Sequence, residues 1–303
     1  MTRFLSNLPN GVFAASVTPL TKDFYIDHPA LEKHCRWLLE NGNDGICFMG
    51  TTGEANSFSV QERMIALNHL AIAGIPTEKL LVGTGCSSLE ETITLTKHAL
   101  SHDVSGVLVL PPFYYKQVSD DGLFDYFSLL IKRVANPSLK IYLYHFPKMT
   151  GVPFSIPLVS RLAKTYPETV VGMKDSGGDW SNMKAVLDAL PGFRLYAGTE
   201  KYFLDVLNTG GAGCISATTN VSGNIASKVY KTKDSSEASK WQEKLTAARA
   251  AFEGYSFIAA VKQWLSEWHK NPDWLNIRPP NTRLSEEQIN QLKKRLEGIN
   301  WRP

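Results

Sequence analysis

Eight short apolar segments, each followed by a stretch whose apolar residues recur at helical spacing, predict an α/β fold closed as a (β/α)8 TIM barrel. Two further observations support it. No Gly-x-Gly-x-x-Gly turn follows the first strand, as an open doubly wound nucleotide-binding sheet would have it. Strand signals also stop near residue 234, and the remainder of the chain is helical only. The expected organisation is a barrel over 1–234 and a C-terminal helical extension over 235–303, packed on the barrel or on a neighbouring subunit.

The first strand is expected at Gly11–Leu20, and a helix from His28 to Glu40 places Leu31, Cys35, Leu38 and Leu39 on one stripe before Asn41-Gly42. Gly45–Gly50 is a second buried strand. Ser59-Val-Gln-Glu62 is a capping box that starts the next helix. The alternation then runs through strands at 80–83, 106–110, 140–146, 170–174, 193–197 and 213–217. Helices are expected at 89–100, 120–134, 156–166, 182–190, 202–208 and about 225–231. In the extension, 237–254 and 256–270 read as helices, and Ser285-Glu-Glu-Gln288 caps a last one.

Composition excludes more than it selects. The chain of 303 residues is 43% hydrophobic and 20% charged, with a net charge of +3 and no basic cluster, so nucleic acid is not an expected partner. Four cysteines without short paired spacing argue against zinc fingers or a disulfide framework and for reduced thiols in the cytoplasm. Residues 1–11 lack a signal-peptide stretch, and no segment has the length and apolarity of a membrane span.

Val170-Val-Gly-Met-Lys-Asp-Ser-Gly-Gly-Asp179 is the most informative stretch. It reads as a buried strand that ends on a lysine and enters a glycine-rich turn. Strict alternation puts Val170, Gly172 and Lys174 on one face, Val171 and Met173 on the other, and leaves space at Gly172. Lys174 either caps the strand towards solvent or, held in an apolar place, serves as a nucleophile towards a ketone. In such barrels the working residues lie at the carboxyl ends of strands. Those ends carry Gly50-Thr-Thr-Gly-Glu54, whose amides and hydroxyls suit a small carboxylate. They also carry Phe113-Tyr114-Tyr115, then Tyr142 and Tyr144 on one face of strand five, and Gly198-Thr199 after strand seven. Tyr144 could act as an acid or base, or be an ordinary core tyrosine. The seven histidines do not cluster in sequence, and neither a metal nor an organic cofactor is expected.

Gly50-Thr-Thr-Gly-Glu54, Tyr144-x-x-Pro147 and Gly172-Met-Lys-Asp175, in that order on strands two, five and six, resemble the dihydrodipicolinate synthase / N-acetylneuraminate lyase family. The resemblance covers nearly the whole chain, including Arg278-Pro-Pro-Asn-Thr-Arg-Leu-Ser-Glu-Glu287. It implies a lyase in which Lys174 forms an imine with a pyruvate-like 2-oxo acid and Tyr144 moves the protons. Thr51 and Thr52 match the pair that meets the substrate carboxylate, and Thr51 belongs to the proton relay. Tyr114 matches a relay tyrosine supplied by a neighbouring subunit, which implies a homo-oligomer, a dimer of dimers. Gly198 and Ile215 match positions lining the pocket.

One departure is informative. The synthases read Tyr-Asn-x-Pro-x-Arg-Thr-Gly after strand five, where the arginine clamps the aldehyde's carboxylate. This chain has Tyr144-His145-Phe146-Pro147-Lys148-Met149-Thr150-Gly151. Met149 can supply no charge or hydrogen-bond donor. His145 replaces the asparagine, and both are expected near the substrate. Lys148, were the segment extended, would point the other way. The function expected is reversible aldol cleavage of a 2-keto-3-deoxy sugar acid to pyruvate and an aldehyde. Dehydration of a related sugar acid comes next; dihydrodipicolinate synthase proper is the named alternative. A 2-oxo acid binding barrel without turnover and a sugar-phosphate enzyme are the readings from other classes.

Overall fold

The structure is a computed structural model that describes residues 9–299 and 301. Its strands are β1 (Gly11–Ala15), β2 (Gly45–Phe48), β3 (Leu80–Gly83), β4 (Gly106–Val109), β5 (Ile141–His145), β6 (Val170–Asp175), β7 (Arg194–Ala197) and β8 (Gly213–Ser216). They pair in parallel, in chain order, and β8 closes on β1 from Gly11↔Gly213 to Ala14↔Ser216. The expected (β/α)8 barrel is the observed fold.

The outer layer comprises α1 (His28–Glu40), α2 (Val60–Ile72), α3 (Leu89–Leu100), α4 (Asp120–Val134), the single turn α5 (Pro147–Thr150), α6 (Ile156–Thr165), α7 (Trp180–Ala189), α8 (Phe203–Asn208) and α9 (Thr219–Lys231). Serine caps set several of their starts. The hydroxyls of Ser59, Ser88, Ser119 and Ser155 each accept an otherwise orphaned backbone N–H of the first turn. At Ser59 the box is closed by the Glu62 carboxylate, which accepts the Ser59 N–H at 2.8 Å.

Side-chain alternation divides the core in two. Val12, Ala14, Ile46, Phe48, Val107 and Leu143 face the helices. Phe13, Ala15, Cys47, Leu108, Tyr142, Tyr144 and Ile215 fill the barrel interior. The expected alternation along β6 breaks at one place. Ile141 pairs with Val170 but Tyr142 pairs with Gly172, so Val171 is an extra residue in a bulge. Val171 therefore joins the interior cluster while Val170 and Met173 face outward. Gly172 leaves no empty space either: a Cβ there would lie 2.6 Å from the Tyr142 ring and 2.4 Å from the Arg194 carbonyl oxygen.

Two other boundaries differ for physical reasons. The sheet pairing of the first strand ends at Ala15, short of Leu20. Beyond it the Val17 N–H goes to Asn220 at 3.1 Å and the Thr18 hydroxyl to the Gly53 carbonyl at 2.8 Å. Helix α9 starts at Thr219, well before the expected residue 225, because its polar first turn is buried. Thr219 donates to the Phe13 carbonyl at 3.0 Å, and Asn220 to that of Ala15 at 2.7 Å.

The extension consists of α10 (Ala238–Phe252), α11 (Phe257–Trp268), a 3-10 turn at Pro272–Leu275 and α12 (Glu286–Gly298). Its apolar faces share a cluster with Val17 and Val221, built around Phe252, Leu265 and Trp274, so the segment packs on its own barrel. Arg278 adds a forked contact with Glu62, at 2.7 and 3.2 Å, whose carboxyl it holds down to about 2. No helix among the described residues is long and apolar enough to cross a membrane.

Candidate active site

The carboxyl ends of β5, β6 and β7, the loop after β2 and the junction of α10 with α11 surround a cavity of about 650 Å³. Lys174 lies on its wall and is nearly buried, at 3% exposure. The register Tyr144↔Lys174 across β5 and β6 sets both residues in one row. Lys174 Nζ donates to the Tyr144 hydroxyl at 3.3 Å, and that hydroxyl donates to Thr51 Oγ1 at 3.4 Å. The ammonium also lies 4.4 Å from the centroid of the Tyr144 ring. Amine, phenol and hydroxyl thus form one hydrogen-bonded chain in the cavity, capable of moving a proton between the amine and a bound molecule.

Thr52, Gly198 and Met149 also line the cavity. Gly198 has a steric reason to be glycine, since a Cβ would meet Ser176 Oγ at 2.2 Å and the Asp175 carbonyl oxygen at 2.6 Å. Three sequence-selected residues lie elsewhere. Ile215 is fully buried in the interior cluster that contains Tyr144 and is not part of the cavity wall. His145 follows Tyr144 and so points to the opposite side of β5. Its Nδ1 accepts the Phe154 N–H at 3.1 Å, and burial pulls the imidazole pKa down. Asp175 beside it accepts from the Gly177 N–H at 2.8 Å and Asn182 Nδ2 at 2.7 Å, while burial pushes its carboxyl up. This pair fixes the loops after β5 and β6. Tyr114 is 74% exposed, edge-on to Tyr115 at 5.3 Å, and does not reach its own chain's cavity.

Lys148 is the correction. Pro147–Thr150 forms a helical turn, with the Thr150 N–H bonded to the Phe146 carbonyl at 2.9 Å, and in this turn Lys148 and Met149 both line the cavity. The expectation for an extended segment does not apply.

The extension contributes residues that the sequence did not single out. Arg249, Tyr255 and Phe257 line the cavity. Arg249 donates to Glu200 Oε2 at 3.1 Å and to Ser216 Oγ at 2.9 Å, with its guanidinium 4.0 Å from the Phe257 ring centroid. Glu200 is fully buried and also accepts from Ser216 Oγ at 2.6 Å and from the Thr218 hydroxyl. An acid three residues past the end of β7 is a signal that sequence could have offered; Arg249, inside a helix of mixed polarity, had none. Among the described residues no three His, Cys, Asp or Glu side chains gather to hold a metal.

A parallel eight-stranded barrel whose strand ends bring lysine, tyrosine and threonine into one hydrogen-bonded chain defines a barrel enzyme class rather than a single activity. The model of the dihydrodipicolinate synthetase family matches residues 8–299, and the chain belongs to that family; it is a lyase. An uncharacterised DapA-like lyase of Chloroflexus aurantiacus is 31% identical over 293 residues, 96% of this chain and 97% of that one. The crystal structure of dihydrodipicolinate synthase from Agrobacterium tumefaciens has a TM-score of 0.87 at 29% identity, covering 95% of this chain and 99% of the other. A double variant of Sulfolobus solfataricus 2-keto-3-deoxygluconate aldolase has a TM-score of 0.84 at 25% identity, covering 96% of each chain.

Proposed function

We propose that the chain is a lysine-imine lyase that reversibly cleaves a 2-keto-3-deoxy sugar acid to pyruvate and an aldehyde. The observation that carries this reading is the Lys174–Tyr144–Thr51 chain in the cavity wall. Lys174 Nζ adds to the C2 ketone, and loss of water, with Tyr144 supplying a proton to the departing oxygen, gives a protonated imine. The C4 hydroxyl then gives up its proton to the Tyr144 oxygen. The C3–C4 bond breaks, its electron pair passes into the imine to form an enamine, and the aldehyde leaves. Protonation at C3 and hydrolysis release pyruvate and the free lysine. Thr51 completes the relay, and Thr52 meets the substrate carboxylate through the loop after β2. No added cofactor is needed for these steps.

Tyr114 is proposed to reach a neighbouring subunit's relay in a dimer of dimers, for which its exposure beside Tyr115 is the support. Residues 1–234 are proposed as the catalytic unit and 235–303 as its extension. Four buried free thiols support a reducing, cytoplasmic location.

The likeness to the Sulfolobus aldolase supports sugar-acid cleavage. The alternative, 4-hydroxy-tetrahydrodipicolinate synthase, is supported by relatives of that name, among them one from Syntrophus aciditrophicus. Against it stands Met149 on the cavity wall, which offers no guanidinium fork to hold a carboxylate in one planar geometry. The test is borohydride reduction with pyruvate, followed by mass spectrometry of the Lys174 peptide and assay of 2-keto-3-deoxygluconate cleavage. A reduced pyruvyl adduct on Lys174, absent in Lys174→Ala, is expected together with pyruvate release. No adduct with any 2-oxo acid overturns the imine mechanism. An adduct without cleavage, but with condensation onto aspartate semialdehyde, moves the assignment to the synthase.

A further inference from the structure

We propose that Lys148 and Lys201 together bind an acidic group at the far end of the substrate, so that the enzyme prefers aldehydes carrying a distal carboxylate or phosphate. The inference rests on the imine reading of Lys174. In the barrel β6 lies between β5 and β7. Lys148 stands in α5, after β5, and Lys201 in the 3-10 turn Glu200–Tyr202, after β7. The two lysines therefore flank the strand that carries Lys174, and all three line one cavity. Lys148 Nζ lies close to Gly178, in the turn after β6, 3.5 Å from where a Cβ would stand there, an ordinary contact distance.

Charge accounting singles the same two residues out. The charged side chains on the wall are Lys148, Lys174, Lys201, Arg249 and Glu253. Arg249 is paired with buried Glu200 at 3.1 Å and with Glu253 at 3.5 Å. Lys174 is consumed by the imine. Neither Lys148 nor Lys201 has a carboxylate within ion-pair distance among the described residues; Lys201 only leans over the Tyr202 ring, 5.1 Å from its centroid. Two exposed lysines without a carboxylate partner among the described residues thus border a volume of about 650 Å³, far more than a three-carbon acid fills. An anion between them gains from both charges, and two flexible point charges accept a carboxylate or a phosphate alike, where an arginine fork would favour one planar geometry. Met149 beside Lys148 leaves the charge one residue earlier in the chain, on the wall only because α5 is helical.

The test measures condensation of pyruvate with glyceraldehyde, glyceraldehyde 3-phosphate and succinic semialdehyde in the wild-type enzyme and in Lys148→Met, Lys201→Met and the double variant. Borohydride trapping of the pyruvate adduct on Lys174 is run beside each. At least one anionic aldehyde is expected to exceed glyceraldehyde in kcat/KM by about tenfold to a hundredfold, the range of a charge-assisted contact. That ratio should collapse towards one in the double variant while the Lys174 adduct still forms. Whichever anionic aldehyde carries the larger ratio identifies carboxylate or phosphate as the group bound. An adduct without any preference for anionic aldehydes, or a preference that survives in the double variant, overturns the clamp and leaves the imine mechanism standing. Absence of the adduct in the wild-type enzyme overturns both.

Discussion

Glu54 and Lys262 form a fully buried ion pair, Nζ to Oε1 2.5 Å, that joins the loop after β2 to helix α11 of the extension. Glu54 adopts left-handed backbone angles (φ 58°), a costly conformation for a non-glycine residue, and its second oxygen accepts the Arg278 N–H at 2.9 Å. Lys262 also donates to the Asn276 carbonyl at 2.8 Å. The loop that presents Thr51 and Thr52 is therefore held from behind by the extension. Burial pulls the Lys262 ammonium pKa down, and only Glu54 opposes it.

Lys262→Met leaves the Glu54 carboxylate buried without its cation and is expected to cost about 3–5 kcal/mol. Adding Glu54→Gln should recover part of the loss. Urea midpoints of the single and double variants check this. An unchanged midpoint for Lys262→Met would remove the pair from the fold's support.

Tyr144→Phe removes the hydroxyl that bridges Lys174 and Thr51. The rate of imine formation should fall by about 10²–10⁴-fold, with pyruvate still bound. Single-turnover trapping with borohydride measures it. A rate equal to the wild type would take Tyr144 out of the proton path.

Gly172→Ala drives a methyl group against the Tyr142 ring and the Arg194 carbonyl. Overpacking of this kind costs about 1–3 kcal/mol and should displace β6, lowering kcat as well as the denaturation midpoint. Thermal melts and steady-state kinetics on one preparation separate the two effects.

His34 is buried among Trp37, Trp274 and Asn220, and burial pulls its pKa from 6.5 to about 4. The unfolded chain then binds a proton between pH 6.5 and 4 that the native protein refuses, so stability falls as the solution is acidified through that window. The loss is roughly 3 kcal/mol from this residue. In His34→Gln the fall of unfolding free energy from pH 7 to pH 4 should be smaller by about that amount. Parallel slopes would show that His34 does not govern it.

The parts of the fold legible in the sequence are those whose signals are local. Strand 80–83 and helices 89–100 and 120–134 have the observed boundaries, because serine caps and apolar spacing mark them. Lys174, Tyr144 and Thr51 were legible as motifs at strand ends. What was not legible depends on pairing between distant segments. The bulge at Val171 exists only opposite β5, the inward path of Ile215 only in a closed barrel, and the early start of α9 only because β1 takes up its polar groups. The turn at 147–150 was hidden because a proline after a strand reads equally as loop or as the first residue of a helix.

The bulge has a bearing on how far this chain can drift in length. Val171 behaves as an inserted residue that the downstream chain never registers, since Gly172–Asp175 stay in step with Tyr142–His145. Losing it would restore regular pairing and leave the lysine on the cavity side. A residue gained or lost between Gly172 and Lys174 would instead turn the amine towards the helices. The strand can absorb a change of length upstream of its glycine and none after it.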